Sequence, residues 1–165
     1  EGFNTHAKVN PPLRAERDRL ALIEGLKDGT IDCIATDHAP HTDWEKDADF
    51  DAAPFGVSGL ETALGVCVKT LVEPGLLSWS QLIRLLSTNP AAIASANGHG
   101  IAKGQPANLS IVDPTARWTV EPARFLSKGR HSPFSGWELR SRVVQVLRRG
   151  RPVTADREPA KEAAP

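Results

Sequence analysis

The chain has 165 residues, with 20 basic and 20 acidic side chains, a formal net charge of zero, two cysteines, no methionine and no tyrosine. That length allows one or two modest domains, and the balanced charge leaves no electrostatic footprint for a nucleic acid or an anionic membrane surface. An apolar share of 40% is ordinary for a packed core, no apolar run is long enough to span a bilayer, and no secretory signal opens the chain.

The chain begins Glu-Gly-Phe-Asn without an initiator methionine, which reads as a piece of a longer protein. Residues 1–9 are mixed and read as a strand end with its loop. Asn10-Pro11-Pro12-Leu13-Arg14 follows, stiffened by two prolines. From Leu13 to Asp28 the spacing is helical, with Leu13, Leu20, Ile23 and Leu26, joined by Leu22, on the expected buried stripe. Gly29 is placed for a left-handed cap.

Ile31-Asp-Cys-Ile-Ala-Thr36 reads as a short buried strand reached by a tight turn, a unit of a parallel α/β sheet. Residues 37–58 have no periodicity. Connections this long inside a compact domain are usually functional or disordered. The middle, Asp43 to Asp51, reads as acidic and solvated, and Ala53 to Gly59 as an apolar turn that folds back. Ser58 and Glu61 have capping-box spacing ahead of a helix whose stripe is Leu60, Leu64, Cys67, Val68 and Leu71. Pro74-Gly75 stops it. Ser78 and Gln81 repeat the spacing for a helix carrying Leu82, Ile83, Leu85 and Leu86, and Asn89-Pro90 opens a third, ending near Asn97-Gly98.

Beyond Gly100 the pattern becomes a small β unit: strands at Ala107–Asp113, Trp118–Val120 and Val143–Leu147, the last turning at Arg149-Gly150 into Arg151–Val153. Glu121–Arg142 reads as loop, anchored by Pro133-Phe-Ser-Gly-Trp137. The expected division is therefore 1–100, 101–154 as the β unit, and 155–165 as a disordered Ala/Pro/Glu/Lys tail. Cys33 and Cys67 lie in apolar patterns and read as buried free thiols of a cytosolic protein.

The stretch from Ile31 to His41 organises the rest. A strand that breaks into Asp37, His38 and His41 suits a metal-assisted hydrolase, because βα barrels carry their chemistry at the C-terminal ends of their strands. Zinc takes carboxylate and imidazole ligands and lowers the pKa of bound water to about 7. A carboxylate at such a site can also take a proton and pass it to a leaving nitrogen. The plainer reading of Asp37 is a turn or cap residue. His41 can face a substrate carboxylate, whereas His38 is equally suited to packing. His6, His99 and His131 read as solvent-facing loop residues. Asn10 can cap a helix or read a planar ring through its amide. Phe55-Gly56 can be an anchoring turn or a point of close backbone approach. With no His-x-His or Cys-x-x-Cys, the chain cannot close a zinc site alone.

Val9-Asn-Pro-Pro-Leu-Arg14, Asp28-Gly-Thr-Ile-Asp32, Ala35-Thr-Asp-His-Ala-Pro-His41, Ala53-Pro-Phe-Gly-Val-Ser-Gly-Leu-Glu-Thr62, Leu86-Ser-Thr-Asn-Pro-Ala91 and Pro133-Phe-Ser-Gly-Trp-Glu-Leu139 together resemble the dihydroorotase family of cyclic-amide hydrolases, in the amidohydrolase superfamily. The resemblance runs in order from about Phe3 to Val153. It implies the C-terminal part of a TIM-type (β/α)8 barrel, with Asn10 after the seventh strand and Asp37 at the tip of the eighth, and a β unit belonging to a composite second domain. It implies that Asp37 ligates zinc, binuclear in the complete protein, and serves as general acid/base. The reaction is the reversible hydrolysis of dihydroorotate to N-carbamoyl-aspartate in pyrimidine biosynthesis. Asn10 and His41 would bind substrate, with backbone groups of Phe55 and Gly56 holding its ring. The partners implied are the substrate, a second copy in a homodimer, and aspartate transcarbamoylase. Other metal ligands of the family lie upstream of these motifs, so the chain by itself is expected to be inactive. Asn108 stands where relatives often carry Asp. Hydantoinases and allantoinases share the fold and the metal chemistry, but usually differ at His41 and at Asn-Pro-Pro-Leu-Arg. An inactive scaffold for aspartate transcarbamoylase is the alternative outside catalysis, and retention of Asp37 and His41 speaks against it.

Overall fold

The computed structural model describes residues 2–96 and 100–153. The expected helix end at Asn97-Gly98, His99 and the 155–165 tail lie outside them. A 3-10 turn at Thr5–Ala7 precedes α1 (Glu16–Asp28). The helix starts three residues later than its spacing suggests. The Asp18 carboxylate turns back to accept from Ala15 N–H at 3.2 Å, fixing the first turn there, and Pro11-Pro12 keeps the preceding chain extended. Gly29 ends α1 in the left-handed conformation at φ 85°.

The apolar stripe of α1 is only partly covered. Ile23 is buried, but Leu13, Leu20 and Leu22 are 65%, 49% and 57% exposed. The segment 31–36 forms no strand among the described residues, and Ala35 is exposed. A strand requires a ladder partner, and here the only main-chain pairing is the single parallel bridge His38–Val57. Ile34 N–H instead donates to Leu85 O at 2.9 Å.

The connection 37–58 contains a short helix, α2 (Asp43–Lys46), where the acidic composition suggests solvated loop. Helix α3 (Ala63–Cys67) runs on as a π-helical turn over Val68–Val72. Helix α4 (Trp79–Ile83), a π-turn over Arg84–Thr88 and α5 (Asn89–Ile93) follow without a break. The Ser78/Gln81 capping box is present: Gln81 Oε1 accepts from Ser78 N–H at 2.8 Å, and Ser78 Oγ accepts from Gln81 N–H at 3.3 Å. The one expected at Ser58/Glu61 is absent. Ser58 Oγ donates to Gly129 O and Glu61 Oε1 accepts from Ser127 N–H, each at 2.8 Å, so both side chains serve long-range contacts. Leu60 is accordingly 61% exposed, not on the stripe. Asn89 lies inside a continuing helix, not at a cap, and its amide donates to Asp32 O at 2.8 Å.

The β unit is one antiparallel sheet in the order β1-β2-β3, from Leu109–Thr119, Glu138–Arg148 and Arg151–Pro152. The two short strands expected at 107–120 are one, irregular between Asp113 and Arg117. There the Asp113 carboxylate accepts from Thr115 N–H and Oγ1 and from Ala116 N–H; these bonds hold its pKa below the usual value.

Two apolar clusters hold the chain together. Ile23, Leu71, Leu77 and Leu85 join α1 to the two long helical segments, with Ile34 packed against them. Val120, Phe125 and Leu139 join the sheet to Val66 of α3. Close approach at this second contact depends on Gly65, where an added Cβ would lie 2.8 Å from Leu139 Cδ1. No helix among the described residues is long and apolar enough to cross a membrane.

Candidate functional site

Asp37 follows the 31–36 segment with φ 43°, in the left-handed region that Asp tolerates better than most residues. Its side chain is exposed and has no hydrogen-bond or ion-pair partner among the described residues. A free carboxylate at a backbone break fits one ligand position. It does not make a whole site, since among the described residues no group of three or more His, Cys, Asp and Glu side chains could hold a metal. Zinc needs about three or four ligands; of the residues present, Asp37 would supply one.

His38 is committed elsewhere. Its Nδ1 accepts from Gly59 N–H at 3.1 Å and Leu60 N–H at 3.3 Å, and its Nε2 lies 3.5 Å from Ser127 Oγ. This lone-pair use pins His38 to the 57–60 turn, with Ala39 N–H donating to Val57 O at 3.0 Å.

His41 and the Phe55-Gly56 turn are brought together. His41 Nε2 is 2.9 Å from Phe55 O, and an added Cβ on Gly56 would sit 3.1 Å from the same nitrogen. That Cβ would also come within 2.7 Å of Ala39 Cβ and O, and Gly56 has φ 135°. Glycine is therefore required both for space and for conformation. Asn10 is exposed and is attached through the backbone: Gly56 N–H donates to Lys8 O at 2.9 Å. The Phe55 ring lines an open, mostly apolar cavity of about 560 Å³ together with Val9 and Pro12, which flank Asn10. Thus His41, Phe55 and Gly56 meet at one turn, and Asn10 is linked to it only through the neighbouring Lys8 backbone. Asp37 joins it through the backbone of the 37–41 loop and makes no side-chain hydrogen bond or ion pair with the others among the described residues.

The sequence reading missed the residues that hold this loop in place. Lys8 and Lys46 are 8% and 0% exposed. Lys8 Nζ donates to the carbonyls of Phe50, Asp51 and Ala53 at 2.6, 3.2 and 2.6 Å, beneath the Phe55 ring at 4.6 Å. Lys46 Nζ donates to Pro54 O at 3.0 Å and Gly56 O at 2.9 Å. Burial and the neighbouring Lys8 charge push the Lys46 pKa down. Neither lysine has a carboxylate within ion-pair distance among the described residues, so carbonyl dipoles solvate both charges.

His131 is 1% exposed, not the solvent-facing residue its loop position suggested. Its Nε2 accepts from His41 N–H at 2.9 Å, placing the ring proton on Nδ1, which is buried without a partner. Burial first, then the Lys46, His6 and His41 charges, lower its pKa from 6.5 to about 4, with Asp43 opposing. The ring is neutral at ordinary pH. His6 is exposed, its ring centroid 6.0 Å from that of His131. Gly129 lets this 127–132 clasp close over the site loop; a Cβ there would be 2.7 Å from His41 O. Nothing in the local sequence marks His131 or Gly129, because each acts on the Pro40-His41 segment, 90 positions away for His131.

Comparison with known proteins adds the family context. The amidohydrolase family model matches residues 7–153. The dihydroorotase of Streptomyces coelicolor is 49% identical over 156 residues, covering 93% of this chain and 36% of that protein. The dihydroorotase of Mycobacterium tuberculosis is 48% identical over 151 residues, covering 90% and 35%. Among solved structures, an L-hydantoinase (dihydropyrimidinase) from Arthrobacter aurescens matches with TM-score 0.84 at 29% identity, over 92% of this chain and 35% of its own. A D-hydantoinase (dihydropyrimidinase) from Thermus sp. matches with TM-score 0.80 at 27% identity, over 90% and 33%. The chain thus spans about a third of the length of the relatives it matches.

Proposed function

The chain belongs to the amidohydrolase family, and from that premise we propose that it forms the C-terminal part of a dihydroorotase. The observation that carries the reading is the likeness in order and spacing to dihydroorotases at 45–49% identity across about nine-tenths of the chain. The hydantoinase structures share the fold at 27–29% identity, which favours dihydroorotate over hydantoin as substrate. The contact of His41 with the Phe55-Gly56 turn supports a site for a small planar ring.

In this reading residues 1–100 are the closing part of a TIM-type barrel and 101–154 belong to a composite second domain. The exposed stripe of α1 and the unpaired 31–36 segment support it, since both present surfaces that neighbouring barrel elements cover. The protein is cytoplasmic, and its macromolecular partners are a second copy or aspartate transcarbamoylase.

Zinc, when bound, supplies Lewis-acid polarisation of the ring carbonyl and a hydrolytic nucleophile at neutral pH. Asp37 is the one ligand this chain would provide. Its carboxylate also takes a proton and delivers it to the ring nitrogen as the amide bond breaks; in the ring-closing direction the transfers reverse. His41 faces the substrate carboxylate, Asn10 pairs with ring donors and acceptors, and the Phe55-Gly56 backbone limits where the ring lies.

The test is to assay the whole protein with dihydroorotate, hydantoin and allantoin. Turnover of dihydroorotate well above the others is expected. Turnover of hydantoin or allantoin in its place would move the protein to those relatives, and none with any of the three would support a non-catalytic scaffold.

A further inference from the structure

The four backbone polar groups of Phe55 and Gly56 do not all face solvent. Phe55 O meets His41 Nε2, Gly56 N–H donates to Lys8 O, and Gly56 O accepts from Lys46 Nζ. Only Phe55 N–H has no hydrogen-bond partner among the described residues. The carbonyls on either side of it, Pro54 O and Gly56 O, converge on the single ammonium of Lys46. We propose that Lys46 is a positioning residue: by drawing these two carbonyls inward, it turns Phe55 N–H outward as the donor that receives a ring carbonyl of the substrate.

The geometry supports this in three ways. First, Lys46 is fully buried, and its ammonium is bonded to Pro54 O and Gly56 O. Second, the residue sits at the end of α2, whose start is fixed by Thr42 N–H and Oγ1 donating to the Glu45 carboxylate at 2.8 and 2.6 Å. The lysine stem therefore starts from an anchored point. Third, a buried cation without a carboxylate partner is costly unless several dipoles face it. The carbonyls cannot turn away without stranding the charge, so the turn has one conformation. Lys8 does the same for the preceding turn through Phe50, Asp51 and Ala53.

The proposal rests on the dihydroorotase reading for its substrate, but its structural half can be tested separately. In the whole protein, Lys46→Met removes the ammonium at similar length, and Lys46→Gln keeps two donor hydrogens without charge. Steady-state kinetics with dihydroorotate, zinc content, and hydrogen exchange of the peptide spanning 53–57 are read for both. Lys46→Met is expected to raise KM tenfold or more with kcat within threefold, because the lost contact binds substrate and transition state alike. Zinc content should be unchanged, exchange over 53–57 faster, and Lys46→Gln intermediate. Unchanged exchange in a folded variant overturns the proposal. So does a fall in kcat at constant KM, or loss of zinc in parallel with activity. If Lys46→Met does not fold, Lys46→Gln decides by the same readouts. Should the wild-type protein fail to turn over dihydroorotate, the substrate assignment falls, while the exchange comparison still judges Lys46.

Discussion

His131 makes a quantitative prediction that reaches the site through one hydrogen bond. Its Nε2 accepts His41 N–H only while that nitrogen is unprotonated. In the closed loop its pKa is lowered from 6.5 to about 4 by burial and by the Lys46, His6 and His41 charges, against Asp43. Once the loop opens, the ring returns to its ordinary value. Above pH 6.5 both states are neutral and nothing changes. Between 6.5 and about 4 the open state binds the proton and the closed state does not, so stability of the closed loop is lost as pH falls through that window. At about 1.36 kcal/mol per pH unit, the loss at pH 5 approaches ~2 kcal/mol, about 30-fold in the opening equilibrium. The assay is peptide-resolved hydrogen exchange over 38–44 in the whole protein at pH 7.5 and pH 5, corrected for intrinsic rates. His131→Gln, which keeps an acceptor and cannot titrate, is the control. Protection in the wild type should drop by about 30-fold relative to that variant. Equal pH dependence in the two proteins would refute the argument.

Other substitutions in the whole protein probe the remaining links. Asp37→Ala should lower turnover by about 10²–10⁴-fold or more, with the fold intact by circular dichroism; retained activity would remove Asp37 from the chemistry. His41→Ala should raise KM for dihydroorotate about 10–100-fold, the range for losing a hydrogen bond to a charged group, with a smaller effect on kcat. Replacing Leu82, a fully buried residue of α4, by Ala should cost about 2–5 kcal/mol, read from denaturant unfolding. Gly129→Ala places a Cβ 2.6 Å from Pro40 Cβ and 2.7 Å from His41 O. It should therefore loosen the 37–41 loop by about 1–3 kcal/mol, seen as faster exchange over that loop.

Helical elements were legible where their signals are local. The Ser78/Gln81 box, Gly29 as left-handed cap and the Leu82/Leu85 pair all depend on residues within a few positions of each other, and the structure reproduces them. The same kind of signal misled at Ser58 and Glu61. Their spacing fits a cap, but a hydroxyl and a carboxylate are free to choose a distant partner, and Gly129 O and Ser127 N–H offer one. Periodicity misled along α1, because an apolar stripe is buried only if something lies against it. Leu20 and Leu22 have no such cover among the described residues. The 31–36 segment has the composition of a strand, yet composition cannot supply the ladder that makes one.

What the sequence determined by itself is the chemistry on offer: a carboxylate and imidazoles at a backbone break, a glycine where the chain must approach closely, and motifs ordered as in the amidohydrolases. What only tertiary structure decided is how those groups are held. Lys8, Lys46 and His131 have no local mark, because a buried charge or a neutral imidazole is defined by the groups the folded loops bring to it, outside the reach of a local pattern. The 50–56 turn brings its carbonyls to Lys8 and Lys46 only once it has folded back, and His131 meets His41 N–H only when the 127–132 segment lies against the 37–41 loop. Short-range patterns set which side chains are present; desolvation and hydrogen-bond satisfaction in the folded chain set what each is able to do.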